Sequence, residues 1–168
     1  VTRRLILMRH AKSSWGHPGL SDHARPLNSR GQRASRAMGA WLAQKGYVPD
    51  QVLSSDSQRT RETWAGLAPD LPGAPQPDWR GDLYHASEET MLRALRGASG
   101  KTVLLLGHNP GCAFFADQIV QAPPPHDRFD DYPTAATLVA QFDVPSWSEA
   151  QWGAGRVLDF VVPRELEG

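Results

Sequence analysis

Two short apolar runs, Leu5-Ile6-Leu7-Met8 and Val103-Leu104-Leu105-Leu106, pass without polar alternation. Such runs predict strands covered on both faces, as in a parallel sheet between helical layers. Each ends abruptly in polar residues, the first in Arg9-His10 and the second in Gly107-His108-Asn109-Pro110-Gly111. In open α/β sheets ligands bind beyond the carboxyl ends of the strands, so both histidines fall where a ligand would be. A lone histidine after a strand is ordinarily a satisfied structural residue, but the repetition makes a shared site the better reading.

The remaining pattern supplies the other elements. Gln51-Val52-Leu53-Ser54-Ser55 reads as a third strand, followed by a helix that opens near Asp56 or Ser57 and carries Arg59 in its first turn. Residues 11 to 26 read as a polar loop. Asn28 is the expected N-cap of a helix with Ala34, Met38, Trp41, Leu42 and Lys45 on one side, ending at Gly46. The proline-rich stretch from Ala68 to Gly81 reads as a loop, and Ser87 caps a helix through Met91, Leu92 and Leu95. Asn109 and Pro110 read as N-cap and first residue of the helix after His108, whose backbone amides could help bind an anion. A second loop runs from Ala122 to Pro133, and Thr137 to Val144 and Val157 to Val162 are strand candidates suited to an antiparallel sheet edge. The expectation is a single α/β domain over residues 1–168. It is a three-layer sandwich with a mostly parallel central sheet flanked by helices and antiparallel edge strands near the C-terminus.

Composition narrows the function. The chain has 168 residues, with 18 Lys and Arg against 18 Asp and Glu, so its formal charge is zero and it has no global attraction to nucleic acid or anionic membrane. Trp41 and Trp64 lie outside any cluster of basic residues and read as core rather than base-stacking residues. No apolar stretch approaches the roughly 20 residues that span a bilayer and no long signal-peptide core is evident, so the expected location is cytoplasmic. Cys112 is the single cysteine, which excludes an intrachain disulfide. Its setting, Gly111-Cys112-Ala113-Phe114-Phe115, reads as helix packing. No arginine follows within residues 113 to 118, so a cysteine-dependent phosphate loop is absent.

Arg59 carries the first chemical hint. A cation in a helix first turn opposes the macrodipole, and a bound anion would compensate both the side chain and the helix N-terminus. Arg61 competes for this role on composition, but it projects to a different side of the helix.

Four segments together resemble the histidine phosphatase superfamily, also called phosphoglycerate mutase-like, and most closely its SixA-like phosphohistidine phosphatase branch. They are Arg9-His10-Ala11-Lys12-Ser13, Arg25-Pro26-Leu27-Asn28-Ser29-Arg30-Gly31, Ser54 through Thr63, and Gly107-His108-Asn109-Pro110. The resemblance implies that His10 is the nucleophile, that Arg9, Arg59 and His108 bind phosphate, and that Ser13 lies near it. By position in the motif, Arg59 takes this role and Arg61 does not. Ala11 stands where glycine is usual, and Gly16 where mutase-like members often have asparagine. Both departures argue against a mutase and leave the phosphatase core standing.

Many superfamily members use a carboxylate as proton donor near the start of the helix expected after residue 87. Here His85 is the nearest equivalent, while Glu88 and Glu89 read as helix-start charges. A missing carboxylic acid favours a substrate whose leaving group needs little help, and phosphohistidine is such a substrate. The expected activity is therefore a phosphatase without cofactor or metal, acting on a phosphorylated protein such as a histidine phosphotransfer domain of a signalling relay. The alternatives are a small-molecule or aryl phosphomonoesterase and a non-catalytic phosphate-binding module. Lys12, Ser14, His17 and His23 in the loop after the first strand are solvated or line the mouth of the site.

Overall fold

Leu5 and Leu7 face one side of a sheet, Ile6 and Met8 the other, and all four are fully buried. A strand reads as an unbroken apolar run only when both of its faces are covered, and that is the situation of β1 (Thr2–Arg9). Each such side chain contributes about 1.5–3 kcal/mol of hydrophobic stabilisation. The computed structural model describes residues 1–167.

The other elements are α1 (Ser29–Lys45), β2 (Gln51–Ser55), α2 (Gln58–Leu67), β3 (Asp78–Arg80) and α3 (Glu88–Arg96). They are followed by β4 (Thr102–Gly107), α4 (Gly111–Ile119), β5 (Thr137–Asp143) and β6 (Arg156–Val161). The strands form one sheet in the order β3-β2-β4-β1-β5-β6. Strands β3, β2, β4 and β1 run parallel, and β5 and β6 are antiparallel additions beyond β1. Met38 and Leu42 of α1 and Trp64 and Leu67 of α2 cover one face. Met91, Leu92 and Leu95 of α3 and Phe115 and Ile119 of α4 cover the other. The result is the expected α/β sandwich.

The helix starts follow their caps. Asn28, Ser57 and Ser87 accept from the amides of Gly31, Thr60 and Thr90, and Gly46 ends α1 at φ 74°, a left-handed conformation that glycine adopts without strain.

Four expectations need correction. The stretch Ala68 to Gly81 is not wholly a loop, because Asp78–Arg80 pairs in parallel with β2 as an edge strand. The 11 to 26 segment contains a 3-10 turn, Asp22–Ala24. The buried stripe of α1 is Gly31, Ser35, Met38, Gly39 and Leu42, whereas Lys45 is exposed and Ala34 and Trp41 are half-buried. The small residues face inward because α2 lies close: a Cβ on Gly39 would come 2.9 Å from the Leu67 carbonyl oxygen. Finally, Pro110 rather than Asn109 occupies the cap position of α4, and Asn109 instead accepts from the Ala113 amide through its side chain.

Candidate active site

Register alone brings the two histidines together. Arg9 of β1 lies opposite Gly107 of β4, so His10 and His108 leave neighbouring parallel strands at the same end. Their ring centroids are 5.2 Å apart. Ser54 of β2 lies opposite Leu106, which delivers Ser55 to the other side of His108. The His10 amide donates to Gly107 O at 3.0 Å, and the Ala135 amide donates to the carbonyls of both Arg9 and His10 at 3.0 Å. The backbone beneath the site is thus held from two sides.

His10 is buried, and its Nδ1 lies 2.7 Å from Ala11 O. Because a carbonyl only accepts, Nδ1 carries the proton and Nε2 keeps its lone pair. Burial, joined by the charges of Arg9, Arg59 and Arg25, pushes its pKa down to about 3 against the opposing Ala11 hydrogen bond. Near neutral pH the ring is uncharged, as nucleophilic attack requires.

His108 is also buried. Burial, followed by His10, Arg59 and His85, pushes its pKa down to about 2, with Asp22 opposing. Its Nε2 is 2.8 Å from Ser55 Oγ. Five buried side-chain nitrogens lack a hydrogen bond among the described residues, and three of them are Arg9 Nε, Arg59 Nε and His108 Nδ1. Unpaired buried polar groups are costly, and their concentration here marks a place built for an anion.

Arg59 is 1% exposed, which rules out a solvated arginine. Its Nη1 donates to Asp22 O at 2.6 Å and its Nη2 to Asp22 Oδ2 at 2.9 Å. The same carboxylate accepts from Tyr84 Oη, from His85 Nε2 at 2.9 Å and from Arg25 Nε at 3.1 Å. Partial burial pushes the Asp22 pKa up, but hydrogen bonds from Tyr84, His85, Arg59 and Arg25 outweigh it and hold the carboxyl well below the usual range. Asp22 is an anion in this setting. Arg25 also donates to Ser13 Oγ at 2.9 Å and Ser14 O at 3.1 Å, and stacks on Trp15 at 3.5 Å.

A cavity of about 250 Å³ is lined by Arg9, His10, Lys12, Ser13, Arg59, His85 and His108, together with Asp22, Arg25 and Asn109 among others. The structure therefore gathers every residue expected at the site. It leaves Arg61 outside, where its Nε donates to Asp56 O at 2.9 Å and its guanidinium packs on Trp79. His23 pairs with Asp56 at 2.8 Å, and His17, Ser14, Glu88 and Glu89 do not line the cavity. Cys112 is fully buried, and burial pushes its thiol pKa up to about 12.

Asp22, Arg25, Tyr84 and Ser55 were not expected in functional roles. Arg25 and Ser55 stood inside motif segments, which was their available signal, whereas Asp22 and Tyr84 carried none. Two glycines permit the close approaches. A Cβ on Gly31 would lie 2.1 Å from Lys12 O, and one on Gly111 would lie 2.1 Å from Ala86 O. The first lets α1 press on the loop after His10, and the second lets the turn bearing His85 reach the start of α4. His85 and His108 ring centroids are 4.8 Å apart as a result.

Comparison with known proteins agrees with this geometry. The model of the histidine phosphatase superfamily (branch 1) matches residues 5–81. A chloroplastic protein of Arabidopsis thaliana is 42% identical over 126 residues, covering 66% of this chain and 56% of its own length. A Mycobacterium tuberculosis protein is 30% identical over 164 residues, covering 94% of this chain and 100% of its own. SixA from Agrobacterium tumefaciens superposes with a TM-score of 0.79 at 27% identity, covering 96% of this chain and 98% of that one. Sequence and fold converge on one assignment: the chain belongs to the histidine phosphatase superfamily, in its SixA-like branch, and is a phosphatase that uses a histidine nucleophile.

Proposed function

We propose that this phosphatase hydrolyses the phosphorus–nitrogen bond of phosphohistidine in a protein, with His10 as the nucleophile. The observation that carries the reading is the buried, neutral His10, whose Nδ1 proton is tied to Ala11 O so that Nε2 is the basic nitrogen. In the first step the Nε2 lone pair attacks phosphorus and the bond to the substrate imidazole breaks. That imidazole, protonated on its other nitrogen, leaves neutral. Arg9 and Arg59 stabilise the equatorial oxygens. With Ser55 Oγ donating to His108 Nε2, the proton of His108 stays on Nδ1, the buried nitrogen without a partner, and serves as a further donor to the phosphoryl group. In the second step water attacks phosphorus, the bond to His10 breaks, and inorganic phosphate departs.

The substrate class follows from the protons the site offers. Asp22, the carboxylate lining the cavity, is held as an anion and is a poor acid. His85, in contact with it, is the proposed donor, and Ser13 supports the pocket through Arg25. Alkoxides need strong protonation to depart, whereas a protonated phosphoimidazole does not. The name of the structural relative SixA, a phosphohistidine phosphatase, points the same way. A histidine phosphotransfer protein in a cytoplasmic signalling relay is the substrate this reading implies, and no metal takes part in the scheme.

Quenching turnover with alkaline denaturant should trap phosphate on His10 in an acid-labile, base-stable form, and His10→Ala should abolish both trapping and turnover. His85→Ala should slow an alkyl phosphate severely, an aryl phosphate mildly and a phosphohistidine protein least, with chelator changing none of the rates. Equal losses across the three would remove His85 as proton donor. A wild-type preference for alkyl phosphates would overturn the phosphohistidine assignment in favour of a phosphomonoesterase.

A further inference from the structure

A second, larger cavity of about 670 Å³ adjoins the phosphate pocket and shares Arg9, Lys12 and Thr134 with it. Its lining includes six cations, namely Arg9, Lys12, Arg30, Arg33, Arg128 and Arg164, against two carboxylates, Asp131 and Glu167. On a chain whose formal charge is zero, this is a strong local excess of positive charge. Arg128 is neutralised by Asp131 at 2.9 Å. Lys12, Arg30, Arg33 and Arg164 enter no ion pair among the described residues.

Two contrasts with the phosphate pocket indicate what the groove takes. Arg59 is buried and rigidly held, as befits a phosphoryl oxygen, whereas Lys12, Arg30, Arg33 and Arg164 are exposed. Long solvated cations suit carboxylates that retain part of their hydration, and bind them in a salt-sensitive way. Ala34, Ala37, Pro133, Pro163 and Val162 add apolar surface between the charges. Such surface suits the backbone and methylene groups of a peptide better than a bare polyphosphate.

We propose that this groove binds an acidic segment flanking the phosphorylated histidine in the partner protein. Arg30 and Arg33, three residues apart on one face of α1, are its specificity determinants. The inference rests on the phosphohistidine reading. The first turn of α1 is tied to the catalytic loop, because the Asn28 amide donates to Lys12 O at 3.0 Å. A substrate lying along Arg30 and Arg33 therefore runs directly to the phosphoryl site.

The test compares two phosphohistidine peptides of equal length, one flanked by Glu and Asp and one by Gln and Asn, with p-nitrophenyl phosphate as a substrate too small to reach the groove. Wild-type protein should prefer the acidic peptide by about 10-fold in kcat/KM, mainly through KM, and lose the preference in high salt. R30A/R33A should erase the preference while leaving p-nitrophenyl phosphate turnover unchanged, and R30E/R33E should instead prefer a Lys-flanked peptide. Equal wild-type rates on the two peptides, or a preference that survives R30A/R33A, would overturn the groove proposal and leave the phosphohistidine reading intact. If neither peptide is cleaved while p-nitrophenyl phosphate is, the phosphohistidine reading fails. What then remains of the proposal, an acidic-peptide site without the neighbouring phosphohistidine, is judged by binding of a fluorescent unphosphorylated acidic peptide: capture lost in R30A/R33A sustains that site, and no capture, capture that survives R30A/R33A, or tighter capture of inorganic triphosphate overturns it.

Discussion

Arg59 and Arg61 sit two residues apart on α2, with one buried in the anion pocket and the other exposed against Trp79. Only Arg59 can lose transition-state contact when truncated. Arg59→Ala should lower kcat/KM by about 10²-fold or more, whereas Arg61→Ala should change it little. Arg59→Lys separates charge from geometry, since lysine keeps the cation and lacks the planar fork, and it should recover only part of the rate. Steady-state kinetics on folded variants, verified by circular dichroism, decide this. Equal losses at both positions, or a larger loss at Arg61, would refute the assignment.

At the scale of elements, the site depends on close approach between the segments that carry its side chains. Gly111 begins α4, and a Cβ added there would lie only 2.1 Å from Ala86 O, which leaves no room for a methyl group. Gly111→Ala should push away the turn that carries His85, lowering kcat/KM by about 10-fold because the relative placement of His85 and His108 is lost. Gly46→Ala is the matched control. At φ 74° it should cost roughly 1 kcal/mol of stability, yet it lies at the far end of α1 and should leave the kinetics unchanged. Thermal unfolding and kinetics on both variants distinguish a local displacement from a general loss of stability.

For the molecule as a whole, two buried neutral histidines make folding sensitive to acid. In the unfolded chain both titrate near 6.5, while in the folded state they titrate at about 3 for His10 and about 2 for His108. Below pH 6.5 the unfolded state therefore binds more protons. The stability that neutral histidines confer is complete above that pH and is lost as pH falls toward 3. Each should remove about 2 kcal/mol between neutral pH and pH 5. Urea unfolding at pH 7 and pH 5 should show this loss in wild-type protein and a clearly smaller one in H10N/H108N. Identical losses would mean that the two rings are not buried in neutral form.

What could be read from the chain alone is what a few neighbouring residues record. Apolar runs marked the central strands because burial on both faces admits no polar alternation, and Asn28, Ser57 and Ser87 marked helix starts because a cap bonds amides only two or three residues away. The motifs likewise pointed to His10, Arg9, Arg59 and His108, whereas His85 was reached only by its position before α3, where relatives often carry a carboxylate. The three-residue strand β3 escaped this reading, since the prolines preceding it resemble a loop and only pairing with β2 makes it a strand. Asp22 escaped it for the same reason, as three of its four hydrogen-bond partners, Arg59, Tyr84 and His85, lie 37, 62 and 63 residues away. The basic groove joins residues from the catalytic loop, α1, the 128–134 segment and the C-terminal turn. The chain as a whole is electrically neutral, and only folding placed its cations side by side.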